Sequence, residues 1–343
     1  MILILSTSKF ESTTDEVIRW LNYYKADWKR LNGYDLQNGH SFFDRTTMQI
    51  NSKELSTELC PVIWYRRWYE QDAFAESIQE APLIKNKGEL KQHLAKEFEA
   101  LSEVMYHRLA DSFWLTNPLH INVNKLVVLE KAQQMGLLTP DTFVLSAKRD
   151  LETILLKHNR LVTKALTNSP DFFATDDVHE YASYTEEVNF EDLASLPDTF
   201  FPTLFQKAID KAYEVRVFYL DGLCYSMAIF SQRNSKTKVD FRHYDHELPN
   251  RTVPYQLPKD VEAKIHALMQ HLKLNSGSLD FIVEANIHQY YFLEVNPVGQ
   301  FGMVSIPCNY YLEKKIATLL ILKQRLHEKS PLRSAEKTYQ AAT

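Results

Sequence analysis

Cysteine is scarce. Cys60, Cys224 and Cys308 are the only three in 343 residues; they lie far apart, form no CxxC pair and have no histidine at metal-like spacing. That excludes a disulfide framework and a zinc site, and reads as reduced, buried thiols in a cytoplasmic protein. A basic excess is also missing: 39 Lys+Arg stand against 44 Asp+Glu, a net charge of −5. This argues against a nucleic-acid binder, so any anion must be held by a local arrangement of cations. No apolar run approaches the roughly 18 residues a membrane span requires. The opening Met1-Ile2-Leu3-Ile4-Leu5-Ser6 is short and leads into acidic, helix-like sequence, not a small-residue cleavage site, so it reads as a strand and not a signal peptide. Neither a Ser-His-Asp nor a Cys-His arrangement offers an activated nucleophile, and there is no internal repeat or low-complexity segment.

What is present is an ordinary globular composition, 45% apolar and 24% charged, in a chain two to three times the usual domain size. Two or three lobes are expected. Ile2 to Leu5 reads as a strand buried on both faces of a parallel sheet. Thr13 with Glu16 suggests a capping box for a helix bearing Val17, Ile18, Leu21 and Tyr24. Strands at 27–31 and Val62-Ile63-Trp64-Tyr65, then a long helix over 89–109, complete an α/β region ending near residue 120. Asn124 caps a helix that Gly136 and Pro140 stop. Short strands at 142–145 and 160–164 surround a polar helix. From Pro202 strands dominate: 203–208, 214–220 and 223–230, the last two joined through Asp221-Gly222. A helix over about 259–272, a hairpin of Leu279–Glu284 with Tyr290–Val295, and a helix over 311–327 follow. The tail from Ser330 is polar and aperiodic, and is expected to be disordered.

The chemistry concentrates in that last hairpin. If Asn286-Ile287-His288 closes it and Ala285 pairs with Gln289, Asp280 lies directly opposite Glu294 and Asn296 projects from the same face. Two carboxylates and an amide, with room left for phosphate oxygens, suit Mg²⁺ better than an all-protein calcium cage. Lys125 opens a helix, Lys164 ends the apolar strand Leu161-Val162-Thr163, and Lys207 stands in Gln206-Lys207-Ala208-Ile209. A lone lysine is most often a solvated surface residue; it is their joint placement that points to a polyphosphate. Arg216, Arg233 and Arg242 are suited to bidentate contact with carboxylate or phosphate.

In order and separation, Lys125, Lys164, Gln206-Lys207-Ala208-Ile209, Glu214-Val215-Arg216, Asp280 and Glu294-Val295-Asn296-Pro297 resemble the ATP-grasp ligases over residues 121–305. Within them, Met1 to Ser8, Glu11-Ser12-Thr13-Thr14, Val17 to Leu21, Trp64-Tyr65-Arg66-Arg67-Trp68 and Asn296-Pro297-Val298-Gly299-Gln300-Phe301-Gly302 resemble the maturases of graspetides, ω-ester and ω-amide peptides of the microviridin kind, in the branch called grasp-with-spasm. The resemblance implies an α/β fold with α+β lobes: a pre-ATP-grasp domain over 1–120, a central lobe over 121–205 and a lobe with the Mg/ATP site over 206–329, ahead of the tail 330–343. It implies ATP phosphates on Lys125 and Lys164, adenine against Gln206, Lys207 and Ile209, ribose on Glu214, Mg²⁺ on Asp280, Glu294 and Asn296, and an acyl phosphate oriented by Arg216 with Arg233 and Arg242. The implied reaction phosphorylates an Asp or Glu side chain of a ribosomal precursor peptide, which a Ser or Thr hydroxyl or a Lys amine of that peptide then captures. A homodimer and a SPASM-type partner protein are implied too. Where many such enzymes have a glycine-rich phosphate flap, residues 166–176 contain no glycine. Two other readings share the residues: a ligase adding a free amino acid to a carboxylate, as in glutathione synthetase or ribosomal-protein glutamate ligases, and a non-catalytic nucleotide-binding scaffold. The intact set Asp280, Glu294 and Asn296 argues against the scaffold.

Overall fold

Ile2, Leu3, Ile4 and Leu5 have no accessible surface in the computed structural model. An apolar strand of this kind needs cover on both faces, which parallel sheets provide. The structure describes residues 1–7, 11–38, 41–68, 87–167, 172–174, 180–182, 185–232 and 249–329. In the N-terminal sheet, β1 (Ile2–Ser6) lies between β2 (Trp28–Asn32) and β3 (Val62–Tyr65), with β4 (Phe113–Trp114) outside β3, all parallel. Leu3 and Leu5 face the long helix α2 (Lys87–Arg108) through Met105, with Leu109 just past the helix end. Ile2 and Ile4 face the opposite way, toward Val17 and Leu21 of α1 (Ser12–Tyr23).

The expected capping box does not form. Helix α1 begins at Ser12 with Glu11 as its N-cap residue and no side-chain cap bond. Glu11 instead accepts hydrogen bonds from the Thr14 and Thr13 hydroxyls at 2.9 and 3.3 Å, and Glu16 pairs with Arg19 on the surface. The reason is electrostatic: the buried Glu11 carboxylate faces Arg66 and Arg67, so the helix start is organised around it and not around Thr13.

Helix α3 (Lys125–Gln134) leads into the central antiparallel sheet. Its strands β5 (Thr142–Ala147), β6 (Leu161–Lys164), β7 (Glu186–Val188) and β8 (Thr199–Lys207) run in the order β7-β6-β8-β5, with α4 (Lys148–His158) packed on it through Leu151 and Leu155. The third sheet is also antiparallel. Its order is β11-β10-β9-β12-β13, from β9 (Lys211–Leu220), β10 (Leu223–Phe230), β11 (Arg251–Tyr255), β12 (Ser276–Glu284) and β13 (Tyr290–Asn296). Asp221 and Gly222, at φ 44° and 96°, make the tight turn between β9 and β10; both positive values belong to the hairpin turn that matches strand twist.

Opposite faces of this third sheet join different cores. Val215, Val217, Leu279 and Phe281 pack with α3 and with α5 (Lys259–His271). Phe218, Leu220, Met227 and Ile229 pack instead with Ile2, Ile4 and the helices α6 (Gly302–Cys308) and α7 (Leu312–Glu328). One continuous core therefore ties the first strand to the last helix. The three cysteines are free, Cys60 and Cys308 buried and Cys224 half-buried. Among the described residues no helix is long and apolar enough to cross a membrane.

Because Ile4 is fully buried in the core shared by the first and third sheets, Ile4→Ala should lower stability by about 2–5 kcal/mol. Denaturant unfolding checks this; a loss near zero would mean the first strand is not anchored there.

Candidate active site

The hairpin that carries the candidate metal ligands is built differently from the simple expectation, yet arrives at the same opposition. Its turn holds one register and its base another. Glu284 N–H donates to the Gln289 carbonyl at 2.9 Å, while Ala285 N–H donates to Asp210, so Ala285 does not pair with Gln289. Phe281 pairs with Phe292, and a register shift then brings Asp280 opposite Glu294 and Ser278 opposite Asn296. Leu293 is the extra residue. Without this bulge Phe292 and Glu294 would share a face. With it, Phe292 is fully buried in the core, while Leu293 and Glu294 both line the cleft.

Each carboxylate meets a cation. Arg216 on β9 pairs with Asp280, its Nη1 3.3 Å from both oxygens. Lys125 Nζ lies 3.3 Å from Glu294 Oε2 and donates to the carbonyls of Ala165 at 2.8 Å and Thr167 at 3.2 Å. Asn124 places that lysine by accepting from the N–H groups of Leu126 and Val127 at 3.0 and 3.2 Å, so the first helical residue projects from a fixed start. Arg216 Nε is buried without a hydrogen-bond partner among the described residues, so the guanidinium retains a donor for a further anion.

A cleft runs between the central and third sheets. Lys164, Gln206, Lys207, Ile209, Glu214, Asp280 and Glu294 line it together with Arg160, Glu187, Lys211 and Gln232. Of the residues expected from sequence, Lys125 and Arg216 touch its wall through Glu294 and Asp280, and Asn296 lies one register step beyond, opposite Ser278. Gln206 is buried and donates to Thr142 Oγ1 at 2.9 Å. The N–H groups of Lys207 and Ala208 are taken by the carbonyls of Asp141 and Arg160, at 2.9 and 3.1 Å. Arg233 and Arg242 lie outside the described residues, as does most of 166–176.

Sequence reasoning missed three groups here. Arg160 spans the rim, with Nε and Nη2 on the Glu187 carboxylate at 2.7 and 3.0 Å and Nη1 on Asp210 at 2.6 Å. Ser231 donates to Glu214 Oε2 at 2.7 Å. Lys211 pairs with Glu214 Oε1. Three residues apart on a regular strand, Lys211 and Glu214 would point oppositely, but a register shift between Lys211 and Tyr213 adds one residue and turns them to one face. A bulge leaves no mark in composition, so nothing in the sequence signalled this pair.

Magnesium fits this donor set. The donors are hard oxygens, two carboxylates and an amide on neighbouring strands, and Mg²⁺ bound with phosphate usually takes only one or two carboxylates from protein. No group of three or more His, Cys, Asp or Glu is assembled anywhere among the described residues, so the fit rests on two carboxylates and an amide.

A parallel-sheet N-terminal region, a small antiparallel sheet bearing a lysine at a strand end, and a larger antiparallel sheet bearing opposed Asp and Glu, with a cleft between the last two, make up the ATP-grasp fold. Solved structures give that likeness over nearly the whole chain. A RiPP-associated ATP-grasp ligase of Chryseobacterium gregarium, in complex with ADP and a leader and core peptide, superposes at TM-score 0.79 with 24% identity, covering 96% of this chain and 97% of that one. The macrocyclase MdnC of Microcystis aeruginosa MRC, bound with precursor peptide MdnA, gives TM-score 0.75 at 24% identity over 93% and 99%. The ATP-grasp ligase PsnB, complexed with minimal precursor, Mg and ADP, gives 0.76 at 12% over 94% and 96%. No protein-family model matches the sequence, and no curated protein matches it.

Burial holds the Glu214 carboxyl above the ordinary carboxylate range, against the opposing pull of Lys211 and Ser231. A carboxyl raised in this way stabilises the fold at low pH and loses that contribution as pH rises through its folded value. Lys211→Met would leave the charge uncompensated, at a cost of about 3–5 kcal/mol near neutral pH. Denaturation at about pH 5 should show a smaller deficit than at about pH 7, because protonated Glu214 no longer requires the partner. Equal deficits would contradict the pairing.

Proposed function

We propose that this chain is an ATP- and Mg²⁺-dependent ligase that activates Asp or Glu side chains of a ribosomally made precursor peptide and closes ester or amide links to Ser, Thr or Lys side chains of the same peptide. The observation that carries the reading is the direct opposition of Asp280 and Glu294 beside the cleft, each already in contact with a cation. A polyphosphate needs cations and a divalent metal needs carboxylates, and here the two sets stand interleaved. The peptide substrate rests on the fold likeness to ligases solved with precursor peptides.

The residues divide the work by position. Lys125 and Lys164 supply the charge that phosphates require, Lys164 from within the cleft and Lys125 by leaving Glu294. Adenine would lie against Ile209 and the carbonyl edges of Gln206 and Lys207, since the Lys207 and Ala208 N–H groups are already used. Glu214 is the candidate for ribose; both of its oxygens accept a bond, yet a carboxylate has lone pairs to accept more. Asp280, Glu294 and Asn296 would hold magnesium, which when bound would supply positive charge to offset the negative charge developing in transfer.

Arg216, whose buried Nε donor is unused, would hold the phosphoryl oxygens of an activated peptide carboxylate, with Arg233 and Arg242 as proposed helpers. The peptide carboxylate oxygen takes the γ-phosphoryl group and ADP leaves. A hydroxyl or amine of the peptide then attacks the acyl carbon, phosphate leaves with the bonding pair, and the nucleophile's proton is lost to solvent. No protein nucleophile is needed, because positioning and charge stabilisation supply most of such catalysis. A homodimer and a SPASM-type partner belong to the same proposal.

The test is direct. Incubated with ATP, Mg²⁺ and a short peptide holding a leader and a Ser/Thr- and Asp/Glu-rich core, the protein should release phosphate, and each ring should cost the peptide one water in mass. Asp280→Ala should abolish this and leave the fold intact by circular dichroism. Phosphate release driven instead by free amino acids, with peptide mass unchanged, would favour an amino-acid ligase; full turnover by Asp280→Ala would overturn the metal assignment.

A further inference from the structure

The motifs Glu11 to Thr14, Trp64 to Trp68 and Gly299 to Phe301 are distant in sequence and none of them lines the cleft, yet the structure brings them together. Arg66 is the centre. It is 3% exposed and stands on the carboxyl end of β3. Its Nε faces Glu11 Oε2 at 3.5 Å, its Nη2 reaches Thr13 Oγ1 at 3.4 Å, and its guanidinium carbon sits 5.1 Å from the Phe301 ring centroid and 5.8 Å from that of Trp64. Arg67 braces the other oxygen of Glu11 at 3.0 Å. With these partners fixed, Arg66 Nη1 donates to the carbonyl oxygen of Gly299 at 3.2 Å.

Gly299 in turn is held against the end of the metal hairpin. Its N–H donates to the Asn296 carbonyl at 3.1 Å. A Cβ there would lie 2.2 Å from Ser278 Oγ and 3.1 Å from the Asn296 carbonyl oxygen, and Ser278 is the strand partner of Asn296. Only a glycine lets the backbone approach so closely. The path from Glu11 to Asn296 thus runs through three contacts, carboxylate to guanidinium, guanidinium to carbonyl and amide to carbonyl, and strand pairing with Ser278 ties Asn296 to the sheet.

We infer that Arg66, clamped by Glu11, is a positioning residue for the magnesium site: it fixes the Pro297–Phe301 segment and so holds Asn296 in line with Asp280 and Glu294. This rests on the magnesium reading given above and adds the N-terminal sheet to it. A planar fork suits the task where an ammonium does not, because one edge must meet Glu11 and another the carbonyl while the faces meet two rings. Groups that orient metal ligands from outside the coordination shell typically change metal affinity 10–100-fold when removed.

The experiment measures binding, not turnover. ADP affinity is measured by titration calorimetry with and without Mg²⁺, in the full chain and in Arg66→Lys, Asn296→Ala and the double variant, with thermal unfolding run in parallel. Arg66→Lys keeps a positive charge beside Glu11, so it should fold and should bind ADP without metal as the parent does. The tightening that Mg²⁺ brings should fall about tenfold, and saturating Mg²⁺ should restore it. In the Asn296→Ala background Arg66→Lys should add nothing. An undiminished Mg²⁺ effect in Arg66→Lys, an equal loss with and without metal, or additive losses in the double variant would each overturn the inference. An Asn296→Ala variant with a normal Mg²⁺ effect would overturn the magnesium reading itself, and this inference with it.

Discussion

Two carboxylates directly opposite on neighbouring strands repel each other, and everything around the cleft answers that fact. Like charges so placed destabilise a sheet, and near a protein surface two unit charges about 4 Å apart interact by about 4 kcal/mol. Asp280 and Glu294 are held in this arrangement by Arg216 on one side and Lys125 on the other. Neither cation comes from the hairpin itself. Arg216 belongs to the adjacent strand and Lys125 to the start of a helix capped by Asn124, so the hairpin's charge is offset by elements outside it.

The same site depends on two irregularities. The extra residue Leu293 lets Phe292 enter the core while Glu294 faces the cleft. The extra residue on β9 turns Lys211 to the face of Glu214. On regular strands either the core or the site would lose its side chains, because alternation allows only one assignment of faces. Bulges beside functional sites commonly re-aim a side chain in this way.

Much of this was legible in the sequence, and the failures have definite causes. Val62–Tyr65, the Asp221-Gly222 turn and the Asn124 cap were readable because periodicity, turn chemistry and capping are local. The opposition of Asp280 and Glu294 was readable too, but from a hairpin register that the turn does not adopt; the bulge restores at the base what the turn displaces. Glu11 defeated the capping expectation because its partners, Arg66 and Arg67, lie over fifty positions away. The roles of Arg160 and Lys211 were hidden for the same reason, since long-range pairing and bulges are properties of the folded sheet.

Counter-ions that neutralise the carboxylates in the free protein also shape what can bind. A lone divalent cation would have to displace Lys125 and Arg216 from their partners and leave two cations unpaired in a half-buried site. A lone polyphosphate would draw the same cations away from the two opposed carboxylates. On the proposed reading, metal and phosphates arriving together would exchange partners with the protein, carboxylates for the metal and cations for the phosphates, so that the buried charges stay compensated. Lys125 is suited to such an exchange, because its other two acceptors are the carbonyls of Ala165 and Thr167, which let it swing from Glu294 without losing all its hydrogen bonds. Arg216, set within a sheet, cannot swing as far, and its unused Nε–H gives it a second donor in place. One cation that moves and one that stays put are what a site needs if it is to admit a charged substrate and then hold the group being transferred.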